Sequence, residues 1–498
     1  MNLKIGVCPL FPGPVLALIL ATLLLWRFLA ALDAGLGLSV DEAQYFLWSL
    51  EPAWGYFSKP PLIAWTLAGA GFVCGDGENC IRMPALLLFT ATAWVTAAIA
   101  HRLFDARTGL WAGIAFATLF LTSFYSWFMT TDSLLLFLWA TSLLLFLRAL
   151  ETDRWRDWLA LSAAVGLGLL AKYSMGLFMM CALAVLWTDH RARLAGPKPW
   201  LAVLLALTFL LPNVAWNLDH QFATLRHTAE ISQLDRKLLH PGSFFSFALA
   251  QFGVMGPLMM AALIVAATDR QTWRTDPRQR LLVLFCVPVL GLFLLLSLLS
   301  RAHANWAAPA YVAATVLAVS MLVRRGHRRW LVGAVVINLT LAATLYHWHR
   351  LAPAAGIELA KGTDPFHPLR GWDAAGRQLA EHLRGTGCRA VAAADRSTLV
   401  KLAYHARRSL GEPVLPLAYN PSGIIRNHFE LTSDVSSRKF DCAILVGGFE
   451  DGRLRREFAE VDTLPSMAVP HDSRPQPMTA WRVRGFLGYD ATVTGRGR

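Results

Sequence analysis

Apolar runs close to the thickness of a bilayer recur along this chain, and very few folds accommodate more than one of them. A helix needs roughly 20 predominantly apolar residues to cross the hydrocarbon. Such runs lie at 13–32, 84–104, 108–127, 131–150, 157–174, 175–188, 200–216, 244–267, 280–300, 304–323 and 329–347, with Lys172 interrupting one continuous stretch at 157–188. Composition agrees: 55% of residues are hydrophobic and 16% charged, against about 25% charged in an average soluble domain. The expected class is a mainly α, multi-spanning membrane protein of about 11 spans. The first run is long and lacks a small-residue cleavage site before Asp33, so it reads as a retained span and not as a signal peptide. The shorter apolar piece at 60–73 predicts a helix lying at the interface.

A formal charge of +13 could point to nucleic acid, but no basic stripe with interleaved aromatics is present. The cations fall instead in short clusters between apolar runs. Arg270, Arg274, Arg278 and Arg280 form one, Arg324, Arg325, Arg328 and Arg329 another, with smaller groups at 102–107, 148–156 and 191–198, and Lys4 ahead of the first run. The alternate loops hold only Lys59, Arg82, Lys172, Arg226, Arg236, Lys237 and Arg301 over greater lengths. The positive-inside rule then places the first set in the cytoplasm. The amino terminus is expected inside, and residues after the last span outside, in the periplasm of a bacterial inner-membrane protein.

After about Leu351, Pro, Gly and charge return, which predicts a soluble α/β domain over 351–498 beside a membrane domain over 1–350 with outer loops at 33–83 and 217–243. Helices are expected at 372–383 and 396–407, strands at 389–394 and 440–446. Gly447-Gly448 reads as a turn, because GGFEDG lacks nucleotide-fingerprint spacing. No internal repeat is visible, which weighs against carriers built from inverted halves. Cys8, Cys181 and Cys286 lie in or beside apolar runs. Cys74 with Cys80, and Cys388 with Cys442, are either disulfides of an oxidising compartment or buried thiols.

The polar residues at span ends gather on the expected outer side. Asp41-Glu42 follows the first span and leads into the aromatics Tyr45, Phe46, Trp48, Trp54, Tyr56 and Phe57, then Lys59. Asp132 opens the fourth span, and Lys172-Tyr173 closes the fifth. Asn213 and Trp216 end the seventh before His220 and His227, and Arg301, His303 and Asn305 open the tenth. Each has a bland reading. Asp132 can cap its helix, Lys59 can snorkel to headgroups, and His220 and His227 can be solvated loop residues. A lone ammonium at Lys172 within apolar sequence is costly, and adjacent carboxylates repel unless a cation, metal or substrate is present. Such a set suits a lipid-phosphate sugar donor. Lys59, Lys172 and Arg301 would hold its phosphate, and a carboxylate would act as base on an acceptor hydroxyl. Aromatic faces, with Tyr173, Asn213, His220, His227 and Asn305, would line the substrate. A transporter or lipid flippase, and a non-catalytic surface-assembly protein, are the readings from other classes.

The pieces DEAQYFLW, GYFSKPPLIAW, TTDSLLLFLW, GLGLLAKYSMG, LPNVAWNLDHQFATLRH and SRAHANWAAPAY together resemble the polyprenyl-phosphate-dependent glycosyltransferases of the GT-C superfamily. This group includes protein O-mannosyltransferases and the lipid A aminoarabinose transferase. The resemblance covers about residues 10–350, while GWDAAGRQLAEHL and YNPSGIIRNHFEL look like the outer domain of one bacterial branch. It implies that Asp41 is the catalytic acid residue of the first outer loop, Glu42 its companion, Asp132 the second acidic position and Lys59 a phosphate-contacting lysine. It also implies inversion at the sugar carbon, undecaprenyl phosphate as carrier, and a lipid A or other glycolipid acceptor, with a protein hydroxyl as alternative. A divalent metal is proposed for some members through acid and histidine side chains. Here Ser58 stands before Lys59 where the aminoarabinose enzyme has a glutamate.

Overall fold

A computed structural model describes residues 13–232, 239–470 and 477–490. Lys4, Cys8, Arg236 and Lys237 lie outside the described residues. Contacts divide the chain into two compact units: residues 1–33, 59–63 and 82–347, and residues 34–58, 64–81 and 348–498. The loop carrying Asp41 is thus grouped with the C-terminal residues, and not with the spans on either side of it.

Among the described residues every regular element of the first unit is a helix. Each of the eleven apolar runs contains helix, but the number able to cross a membrane as single helices is smaller. Among the described residues six qualify by length and composition: Gly13–Ala34, Glu78–Leu103, Thr131–Thr152, Pro197–Asp219, Pro277–Leu299 and Arg328–Tyr346. Other runs are shorter helices or carry breaks inside apolar sequence. The run at 108–127 is split at Leu119, where ψ swings to 142° between the helices Ala106–Thr118 and Phe120–Tyr125. The run at 244–267 is two helices, Pro241–Met255 and Pro257–Thr268, bent by 109°. Gly256 makes that bend with φ +86°, and a Cβ there would stand 2.2 Å from Asn338 Oδ1. Counted as one broken span, the pair brings the total to seven.

Helix Ala310–Arg324 forms the centre of this unit, with every residue from Ala310 to Leu322 buried. It packs on Ala106–Thr118, Pro257–Thr268 and Pro277–Leu299. Trp139, Phe146, Phe178 and Phe285 interlock edge-to-face or tilted beside it. A helix apolar all round is stable only when buried or in lipid, and this unit does both.

In the second unit, strands β1 (Ala390–Ala393), β2 (Leu415–Ala418), β3 (Ala443–Val446), β4 (Phe458–Ala468) and β5 (Pro477–Phe486) form one sheet in the order β2-β1-β3-β5-β4. The first three are parallel, and β5 joins β3 antiparallel, Leu445 opposite Trp481. Helices Trp372–Thr386 and Arg396–Leu410 pack on one another. The expected elements at 372–383, 389–394, 396–407 and 440–446 are found with shifted ends. The hairpin of β4 and β5 alternates exposed and buried residues too irregularly to be read in advance. Disulfides join Cys74 to Cys80 and Cys388 to Cys442. Cys181 and Cys286 are buried thiols.

Candidate functional site

Within the first unit, three of the expected residues meet. Helix Thr131–Thr152 begins after Thr130, so Asp132 lies in its first turn, where a carboxylate is favoured by the backbone N–H groups. Helix Trp155–Ala171 ends at Lys172, whose extended backbone (φ −162°, ψ 131°) turns the side chain back toward Asp132. Lys172 Nζ lies 2.6 Å from Asp132 Oδ1, and Asn305 Nδ2 donates to Oδ2 at 2.6 Å. Asp132 is buried, and both its oxygens are engaged. A buried glutamine holds the Asn305 segment: Gln251 Nε2 donates to Ala304 O at 3.5 Å and to Phe247 O at 3.0 Å, while its Oε1 accepts from Tyr311.

A second polar row runs alongside. Tyr173 Oη donates to Asn213 Oδ1 at 2.6 Å, Asn217 Nδ2 to Asn213 O at 3.0 Å, and Thr224 N to Asn217 Oδ1 at 3.2 Å. His220 is half-buried, with Nδ1 2.8 Å from Trp216 O and its ring stacked on Trp216 at 4.0 Å. His227 is half-buried on helix Ala223–Ser232, Lys59 is half-buried, and Arg301 is exposed.

Within the second unit, Ser39 caps helix Val40–Ser49 in a full capping box. Its Oγ accepts from Glu42 N at 3.2 Å, and its own N donates to Glu42 Oε2 at 2.9 Å. Glu42 is fully buried. Asp41, one residue earlier, keeps 54% of its side chain exposed. Tyr45 and Trp48 pack at 5.2 Å, and Trp48 stacks on Tyr56 at 4.5 Å. Tyr56 Oη donates to Trp48 O at 3.1 Å and accepts from Ala53 N at 3.0 Å. Burial pushes the Tyr56 hydroxyl up to about 12, with Ala53 opposing and Glu51 adding to the rise, so it stays protonated at any physiological pH. Phe57 is buried, and Trp54 is exposed with its ring edge-on to Trp65 at 4.9 Å.

A family model described as dolichyl-phosphate-mannose-protein mannosyltransferase matches residues 58–216. The lipid A galacturonosyltransferase RgtD of Rhizobium johnstonii is 34% identical over 299 residues, 60% of this chain and 63% of that protein. The lipopolysaccharide core galacturonosyltransferase RgtA of the same organism is 29% identical over 184 residues, 36% and 37% of the two. The chain therefore spans less than two thirds of the length of these relatives. The crystal structure of ArnT from Cupriavidus metallidurans bound to undecaprenyl phosphate has the same fold, with a TM-score of 0.62 at 16% identity over 97% of this chain and 99% of that one.

The chain has the GT-C fold.

Three groups of this chain escape a reading of the sequence. Arg396, on the C-terminal side of the chain, places Nη1 3.3 Å from Asp41 Oδ1 and 3.0 Å from Gln44 Oε1. His428 closes the aromatic set, its ring edge-on to Trp48 and Tyr56 at 5.3 and 5.2 Å and its Nδ1 accepting from Phe57 N at 3.4 Å. Gln251 is the third. Sequence separations of 355 for Arg396 and 371 for His428 leave no local signal to find them.

Among the described residues no three His, Cys, Asp or Glu side chains converge, and Asp132 already carries an ammonium and an amide on its two oxygens. No step below is routed through a metal. A cavity of about 220 Å³ in the first unit lies toward the other end of helix Thr131–Thr152, among Phe146, Trp158, Leu161, Leu183 and Trp200. Phe146 is 14 residues from Asp132, about 21 Å along the helix. Ser162 is the one polar side chain in that lining, which suits hydrocarbon and offers nothing to reacting groups.

Proposed function

We propose that this protein transfers one sugar from a polyprenyl phosphate of the undecaprenyl class to a lipid A or similar glycolipid acceptor facing the periplasm. The observation that carries the chemical assignment is the unequal state of three carboxylates. Glu42 is buried in a capping box and Asp132 is saturated by Lys172 and Asn305, whereas Asp41 is exposed at the start of its helix. Asp41 is the base. It takes the proton of an acceptor hydroxyl, the freed oxygen attacks the anomeric carbon, and the bond from that carbon to the phosphate oxygen breaks with inversion. Polyprenyl phosphate leaves with the bonding pair, and cations at its oxygens stabilise that charge. Arg301 and Lys59 are the cations for this task. Lys172, neutralised by Asp132, orders the end of its span instead.

The lipid A acceptor is supported by the likeness to RgtD, and the carrier by the ligand of the ArnT structure. Galacturonic acid is accordingly the first sugar to test. The family description, which names protein acceptors, keeps a protein hydroxyl as second reading. Orientation is supported from two directions: the arginine clusters at 270–280 and 324–329 favour the cytoplasm, and Cys74–Cys80 and Cys388–Cys442 require an oxidising compartment.

The test is transfer by the full chain in nanodiscs, given undecaprenyl phosphate carrying a radiolabelled uronic acid together with lipid A. Label should move to lipid A with wild-type protein and not with Asp41→Asn. Retained transfer in Asp41→Asn would remove Asp41 as base. Passage of the lipid-linked sugar across a vesicle membrane without any transfer would replace the enzyme by a flippase.

A further inference from the structure

We infer that Arg396 is a positioning residue for Asp41, so that the C-terminal residues of the chain complete the base. The inference rests on the reaction proposed above. Arg396 is the first residue of helix Arg396–Leu410, and the start of that helix is fixed. Asp395 caps it, accepting from Thr398 N at 2.8 Å and from Thr398 Oγ1 at 2.9 Å. The rest of the helix is tied down turn by turn. Lys401 Nζ donates to Pro368 O at 2.6 Å and lies over the Trp372 ring at 4.6 Å. Tyr404 meets Phe46 edge-on at 5.2 Å and donates to Asp76 O at 2.9 Å. His405 is buried against Gly376, where a Cβ would come within 2.3 Å of it, and Arg408 pairs with Glu78. Phe46 belongs to the same helix as Asp41, so these contacts set the Arg396 backbone in register with the Asp41 turn.

One guanidinium nitrogen then serves two acceptors. Nη1 carries two N–H groups, and its neighbours are Asp41 Oδ1 at 3.3 Å and Gln44 Oε1 at 3.0 Å. Asp41 and Gln44 are three apart and share a helix face. Gln44 is buried, so its amide cannot follow solvent, and the bridge fixes the rotamer of the exposed carboxylate relative to a buried amide. Guanidinium does not lose its proton in proteins, and the clamp is therefore constant while Asp41 exchanges its own. An ion pair this exposed contributes little to stability, and often nothing. Its conservation of geometry has to show in turnover, not in folding, and that separates a positioning role from a structural one.

The experiment combines kinetics with carboxylate footprinting of the full chain in nanodiscs. Arg396→Gln should lower kcat by about 10- to 100-fold, the cost of misplacing a catalytic group by about an ångström, with donor KM held within about twofold and the thermal midpoint unchanged. Arg396→Lys should recover part of the loss. In an Asp41→Asn background, Arg396→Gln should cost nothing further, since the two act as a unit. Carbodiimide labelling of Asp41, read by mass spectrometry, should rise severalfold in Arg396→Gln while Glu51, paired with Arg438 at 3.2 Å, stays constant. Equal labelling of Asp41 in both proteins, or losses that multiply in the Asp41→Asn background, would overturn the inference. So would a loss expressed only in donor KM, which would make Arg396 a phosphate ligand. Unchanged transfer by Arg396→Gln beside an active wild type sinks this inference alone, whereas a wild type that moves no sugar sinks the reaction and this role with it.

Discussion

Lys172 shows how a single residue can be conspicuous in sequence while its partner is not. An ammonium in an apolar run has to be paired or hydrated, and here it is paired with Asp132, at side-chain exposures of 19% and 5%. Removing one member leaves the other charge uncompensated. Lys172→Met should therefore destabilise the protein by about 3 kcal/mol or more, and the double variant Asp132→Asn/Lys172→Met by less than Lys172→Met alone. Thermal unfolding of the detergent-solubilised variants measures the difference. A cost for the double variant equal to the sum of the costs of Asp132→Asn and Lys172→Met would show that the pair is not coupled. His405 gives the second residue-scale expectation. Burial holds its imidazole down to about 4, against Glu78 and Asp373, which raise it, and with Arg408 and Lys401, which lower it further. The folded state thus stays neutral where the unfolded chain, with a pKa near 6.5, takes up a proton. Stability is complete above about pH 6.5 and is lost as pH falls toward 4, at up to about 1.4 kcal/mol per pH unit. The slope of thermal midpoint between pH 6.5 and 4.5 should flatten in His405→Gln.

At the scale of elements, the sequence is most legible where one physical signal dominates. Twenty apolar residues in a row have no good alternative to a buried or lipid-facing helix, and each of the eleven runs is indeed helical. The breaks were not legible, because they are set by neighbours distant in the chain. Gly256 is one glycine among many in the sequence, and only the side chain of Asn338, 82 positions later, makes it the residue at which two helices turn by 109°. Leu119 carries no breaking signal at all. The same logic explains the carboxylates. Ser39-x-x-Glu42 is a capping box before an apolar run, visible in sequence, yet the adjacency of Asp41 and Glu42 suggested a shared role. Geometry separates them. Gly256→Ala should therefore be costly at this element, by about 1–3 kcal/mol for the backbone alone, with the Asn338 clash added. Asn338→Ala in the same chain should relieve the clash and leave the backbone cost. Thermal midpoints of the three variants decide this, and a wild-type value for Gly256→Ala would mean that the bend forms without help from the glycine.

For the whole molecule, the grouping of residues 34–58 and 64–81 with 348–498 is the feature that a linear reading could not supply. Hydropathy assigns the 33–83 loop to the spans that flank it, whereas Phe46, Asp76 and Glu78 make their contacts with Tyr404 and Arg408. The two disulfides lie in this same unit, Cys388–Cys442 closing a separation of 54 residues and Cys74–Cys80 one of 6. A loop of 54 residues corresponds to about 4 kcal/mol of stabilisation through the unfolded chain. Both bridges persist only if this unit matures on the oxidising side, so topology and stability are one question. Fusing alkaline phosphatase, which is active only after export, at Tyr489 should give active enzyme, and fusing it between Asp269 and Pro277, beside the Arg270–Arg280 cluster, should give inactive enzyme. In the same cells, Cys388→Ser/Cys442→Ser should lower the thermal midpoint of the membrane-extracted chain, and added reductant should then shift the wild type toward the variant but not the variant further. Inactivity of the Tyr489 fusion, or a midpoint indifferent to the cysteines, would count against an exported unit and take the periplasmic acceptor with it.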